Sequence, residues 1–118
     1  MSAGKATGVE RSAARRAKNE SIFRDANEAI KQSAQEHGLT DGAAMIPFLC
    51  ECEEEACTVI VRMTLPEYEQ VRGQPRRFLL SPGHESEPDR VISQGERFAV
   101  VEKTGEEGRL VAQYDPRS

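Results

Sequence analysis

The sequence predicts an α+β fold: a long N-terminal helix, then a small, mostly antiparallel sheet of four to five strands with one short helix, stapled by a metal knuckle. Three observations predict it. Residues 10–37 contain no Gly or Pro and are dominated by Ala, Arg, Lys, Glu and Gln, all good helix formers. After them come short apolar and β-branched runs between turn signals, too irregularly spaced for a strand–helix–strand alternation. The three cysteines of the chain all lie in Phe48–Cys57, spaced C-x-C-x4-C.

The helix is expected to bury a stripe of Ile22, Phe23, Ala26, Ala29, Ile30 and Ala34, which keep helical spacing. Upstream the stripe thins to Ala13, Ala14 and Ala17, so residues 19–36 should dock and residues 10–18 should fray. Residues 1–9 read as a disordered tail. This divides the chain into a basic arm, 1–18, and one domain, 19–116. Gly38 is a C-cap candidate, with His37 beside it.

Met45–Glu51 and Thr58–Met63 are strand-like and should pair around the cysteine turn. Thr64-Leu65-Pro66-Glu67 is a helix start with a capping box and an early Pro, and Gly73 ends that helix near residue 72. Arg77–Leu80, Arg90–Ser93 and Arg97–Glu102 read as strands. Residues 104–108 read as a hairpin loop, and Arg109–Tyr114 as a last strand, with Leu110, Ala112 and Tyr114 alternating against Val111 and Gln113.

Composition bounds the chemistry. A chain of 118 residues is one domain by size, and 37% hydrophobic content with no Trp makes a thin core, which a metal staple can support. The net charge of −4 is uneven: residues 1–18 carry five basic side chains against Glu10, or +4, so the remainder sums to −8. An acidic body does not suit duplex DNA, although Arg11, Arg15 and Arg16 could meet phosphate or an acidic protein surface. No apolar run has the length of a membrane span, and no hydrophobic segment follows the basic N-terminal residues as in a secretory signal. The expected location is therefore cytoplasmic, where thiols stay reduced.

Three thiolates within eight residues can reach one ion if the chain turns tightly. In an extended segment Cys50 and Cys52 share a face, and Cys57 returns from the far side of the turn. Zinc needs a fourth ligand. His84, in a Pro-Gly-His turn, is the leading candidate; His37, Glu51, Glu53, Glu54, Glu55 and water are the alternatives. Iron or an Fe–S cluster would also accept sulfur ligands, and three reduced, metal-free cysteines are the plain alternative. The neighbouring glutamates oppose a low-pKa reactive thiol and attract a cation.

Phe48-Leu49-Cys50-Glu51-Cys52, Cys57, Leu65–Arg72, Arg77-Phe78, Pro82-Gly83-His84 and Phe98–Lys103, with Asn19-Glu20, Phe23-Arg24 and Asn27-Glu28 before them, resemble a family of small, uncharacterised proteins of high-GC Gram-positive bacteria. The resemblance spans about residues 19–103. It implies that the C-x-C pair, the third Cys and the Pro-Gly-His belong to one pattern, which favours His84. No activity is known for that family. Glu53-Glu54-Glu55 departs from it, since a Gly is expected soon after the second Cys.

No phosphate-binding loop, nucleophile elbow or metalloprotease signature is present. The expected function is a non-enzymatic metal-binding module that acts on a protein partner or dimerises through its N-terminal helix, at Arg11, Arg15, Arg16, Ile22 and Phe23. A thiol or Fe–S redox sensor and a nucleic-acid binder using the basic arm are the alternatives.

Overall fold

The computed structural model describes residues 2–117, with side chains from Ala13 onward. Helix α1 (Ser2–Glu36) leads. It is followed by β1 (Ile46–Leu49), β2 (Ile60–Met63), α2 (Leu65–Arg72), β3 (Arg77–Leu80), β4 (Arg90–Gln94), β5 (Ala99–Glu102) and α3 (Gly105–Gln113). The fold is α+β, as the sequence predicts. The five strands form two sheets rather than one. β1 and β2 make an antiparallel hairpin running from Ile46↔Met63 to Leu49↔Ile60, and β5 lies between β3 and β4 in an antiparallel three-stranded sheet. β4 carries a register shift between Val91 and Ser93.

Helix α2 forms where its start signal places it. The Thr64 hydroxyl accepts from the Glu67 N–H (3.2 Å), and the Glu67 carboxylate accepts from the Thr64 N–H (2.9 Å), a closed capping box. The chain's end differs from expectation. Residues 105–113 form a helix, not a hairpin loop and strand. Its buried positions, Glu107, Gly108 and Val111, have helical spacing, and Glu106 and Glu107 suit the positive end of the helix dipole. Tyr114, read as the end of a last strand, follows the helix and is 44% exposed. Gly108, read as a loop residue, is a close-approach glycine: a Cβ there would lie 2.5 Å from the Lys103 carbonyl oxygen.

The buried face of α1 also differs from expectation. Ala13, Ala17, Glu20, Ser21, Arg24, Asn27 and Ala34 are buried, while Ile22 is 56% exposed and Phe23 half-buried. Of the apolar stripe only Ala34 is buried, with Ile30 packed against the core, so small and polar residues set most of the docking face. Ala13 and Ala17 let α1 approach the body closely, so the packed part of the helix starts by Ala13 rather than at Asn19. Arg11 lies outside the residues whose side chains are described.

Polar and charged groups hold α1 in place. Arg24 donates to the carbonyl oxygens of Pro75 (2.7 Å) and Val111 (2.6 Å). Its guanidinium sits 4.5 Å from the centre of the Phe78 ring, and the Lys103 ammonium lies 5.9 Å from the same ring. Lys103, fully buried, pairs with Glu20 (2.8 Å) and Asp89 (2.9 Å). Arg72 joins α2 to Asp115 (2.6 Å) and to Glu28 of α1 (3.3 Å). Burial would raise the Glu28 carboxyl, but hydrogen bonds from Arg117 and Tyr68 and the charge of Arg72 bring it down to about 2. Around these sits a conventional core, in which Phe48 and Tyr68 stack at 4.3 Å beside Val61, Met63, Leu79 and Val101.

Burial pushes the Glu20 carboxyl up to about 9, and hydrogen bonding with Glu107 adds to this against the opposing charge of Lys103. The folded chain thus keeps a proton that the unfolded chain releases in the ordinary carboxylate range. The stability this confers is full in acid and is lost as pH rises from about 4.5 to about 9. Glu20→Gln, which cannot ionise, should therefore melt above the wild type at alkaline pH and lose that advantage towards pH 4. Melting curves across this range check it; a pH-independent difference would contradict it.

Candidate metal centre

Two turns bring the metal-ligating residues together. The first is the connection between β1 and β2, where the Cys50 N–H still bonds to the Val59 carbonyl (3.1 Å) and the chain turns at Glu54–Cys57 (Cys57 N–H to Glu54 O, 3.0 Å). The second follows β3. The His84 N–H bonds to the Ser81 carbonyl (3.1 Å) across Pro82-Gly83, and Gly83 has φ +90°. Pro at the second position and a positive-φ Gly at the third are what a type II turn requires.

His84 Nδ1 lies 3.5 Å from Cys50 Sγ and 3.7 Å from Cys57 Sγ. With Cys52, the four donor atoms lie within 4.8 Å of one another. In a zinc tetrahedron with Zn–S about 2.3 Å and Zn–N about 2.0 Å, nitrogen and sulfur stand roughly 3.6 Å apart. The residues therefore fit a single ion. Cys50 and Cys52 are buried, Cys57 and His84 half-buried, and a surface depression bordered by Cys52, Glu54, His84 and Glu85 opens beside them.

Of the alternative ligands, His37 remains at the end of α1, its Nδ1 2.8 Å from the Ser33 carbonyl. Glu51 faces away from the thiols: its two carboxylate oxygens accept from the Leu79 N–H (3.1 Å) and the Asn27 amide (2.8 Å). Glu53 pairs with Arg16 (3.2 Å), and Glu54 and Glu55 are exposed. Four glutamates near three cysteines thus divide by role, and none of them is needed in the first coordination shell.

Burial pushes the Cys50 thiol well above its ordinary value, and the two neighbouring thiols add to the effect; the Ser81 N–H, donating to Cys50 Sγ at 3.2 Å, works against it. Cys52 is raised as well, by burial and then by Cys57. Without a cation these sulfurs hold their protons. A divalent ion reverses that balance.

The sequence reading missed what supports the centre. In residues 49–53 the roles alternate along the chain. Cys50 and Cys52 supply the site, and Leu49, Glu51 and Glu53 carry the bonds to α1. The Asn27 amide bonds both the N–H (2.8 Å) and the C=O (2.9 Å) of Leu49, acting as a strand neighbour, and Asn19 donates to the Glu53 carbonyl (3.3 Å). The signal was the same alternation that grouped the two cysteines, extended to the residues between them.

A second group of donors, Glu20, Glu53 and Glu107, also lies within 4.8 Å. Lys103 and Arg16 reach into it, so it is an ion-pair cluster with its cations built in. Of the arm residues, Arg16 is thereby turned inward, and Arg15 is exposed. Among the described residues no helix is long and apolar enough to cross a membrane. No family model, curated protein or solved structure matches the chain.

Because metal entry must displace protons from at least Cys50 and Cys52, the apparent affinity for zinc should fall by at least roughly a hundredfold for each unit the pH drops below neutrality. Competition against a chromophoric chelator at several pH values measures this. A flat profile would mean the ion binds without these thiols.

Proposed function

We propose that this chain is a non-enzymatic interaction module built around a structural zinc ion bound by Cys50, Cys52, Cys57 and His84. The observation that carries this reading is the closed donor set: three sulfurs and one nitrogen at the spacing of one tetrahedron leave no open position for substrate, which is how structural sites differ from catalytic ones. The thin core supports it too, since a staple between the β1–β2 turn and the β3–β4 turn reinforces the junction of the two sheets beside the Glu51–Leu79 bonds. Soft thiolate ligands favour zinc or iron over oxygen-seeking ions. A donor set this compact favours one ion over a multinuclear cluster.

The outward face of α1, with exposed Ile22, half-buried Phe23 and exposed Arg15, is the surface assigned to a protein partner or to a second copy of this chain. A nucleic-acid role is less favoured, because Arg16 is engaged by Glu53 and Glu107.

Protein purified without a metal-affinity tag should contain one zinc per chain and show no visible colour. A brown, iron-containing protein would support the redox alternative. Cys52→Ser should lose the ion and melt well below the wild type, because metal binding is coupled to folding; an unchanged melt would overturn the structural role. Ile22→Glu should abolish any concentration-dependent association seen by sedimentation, leaving the melt unchanged. Persistence of that association in the variant would exclude this face.

A further inference from the structure

Resting on the metal-centre reading above, we propose that occupancy of the centre controls how tightly α1 is docked, so that the ion acts as a switch on this helix. Three observations lead there.

The first is the shared segment. Residues 49–53 supply the centre from their even positions, Cys50 and Cys52, and their contacts to α1 fall on each odd position. Asn27 bonds the Leu49 N–H and C=O and the Glu51 carboxylate, Asn19 bonds the Glu53 carbonyl, and Arg16 pairs with the Glu53 side chain. An ion that fixes Cys50 and Cys52 also fixes the register of the three residues α1 grips. Without it, the segment is held on that side by the Cys50 N–H bond to Val59, the Glu51 N–H bond to Leu79 and the Ser81 N–H bond to Cys50 Sγ, and the thiols have no shared partner.

The second is the character of the docking face. The buried positions of α1 are Ala, Ser, Glu, Arg and Asn, and of its large apolar side chains Ile22 is exposed, Phe23 half-buried and only Ile30, itself half-buried, packs against the core. Exposing an apolar face is strongly opposed by water, whereas alanines and hydrogen-bonding groups exchange protein partners for water at small net cost. A helix docked this way is suited to reversible release.

The third is that further anchors of α1, Arg24 to Pro75 and Val111 and Glu28 to Arg72, fall on residues outside the 49–53 segment. They tether the helix while its grip on the hairpin changes.

Coupling of this kind is reciprocal. If the ion tightens the helix, the helix tightens the ion. Asn27→Ala and the milder Asn19→Ala leave all four ligands intact, yet each should weaken zinc binding, Asn27→Ala by roughly tenfold to a hundredfold, while the cobalt-substituted protein keeps its tetrahedral absorption bands. In the full-length wild type, zinc removal by chelator should raise amide exchange in residues 13–30 at least about tenfold over its effect on β3 and β5. Unchanged exchange in α1 on zinc removal, or variants that loosen α1 yet bind zinc as tightly as the wild type, would overturn the inference. Wild-type protein that holds no zinc would overturn the proposed function first, and this inference with it; that measurement precedes any variant.

Discussion

The segment from Leu49 to Glu53 is the constraint on which the rest of this molecule depends. Its even positions supply sulfur, and its odd positions carry the bonds to α1. Everything near it serves one of those two sets. The type II turn at Ser81–His84 brings an imidazole to the sulfurs. Helix α1 brings Asn27, Asn19 and Arg16 to the odd positions, and β3 closes the edge through paired bonds between Glu51 and Leu79. Glu51, fully buried, has its carboxyl pushed up to about 7 by burial, with the Asn27 amide and the Leu79 N–H pulling it back down. It is a spacer that fits only when helix, hairpin and sheet all meet.

The other buried ionisable groups follow the same logic. Arg24, Lys103, Arg72 and Glu20 lie inside a small domain, in positions that aliphatic side chains ordinarily fill. Ionic groups in such positions add little net stability against well-packed apolar ones, but removing one partner is costly. Their effect here is to define a single arrangement of α1 over α3 and the sheet. Ridges of leucine would permit sliding; Arg24 reaching two particular carbonyls does not. The Phe78 ring, with a guanidinium over it and an ammonium near it, lets the aromatic core accept those cations.

How much of this was legible in the sequence depended on whether local chemistry or tertiary contact decided the outcome. The α2 start was legible because Thr64, Pro66 and Glu67 close a capping box among themselves. The grouping of Cys50, Cys52, Cys57 and His84 was legible because three cysteines crowd a single turn and Pro82-Gly83 pre-shapes another. The face of α1 was not. Helical periodicity picks out the apolar stripe, and here the buried stripe is the polar one, recognisable only once Leu49, Glu51, Lys103 and Val111 are placed opposite it. The C-terminal helix was missed for a related reason. Over six residues, alternation and helical spacing are hard to separate, and the buried Glu107 that marks the true face looks like a solvent residue until Lys103 and Arg16 are beside it.

A closed shell of three sulfurs and one nitrogen is the central claim, and the most direct test is X-ray absorption at the zinc edge on protein purified without a metal-affinity tag. The account predicts three sulfur scatterers near about 2.3 Å and one nitrogen near about 2.0 Å. A shell of oxygen and nitrogen alone, or an absence of zinc from fully reduced protein, would contradict it.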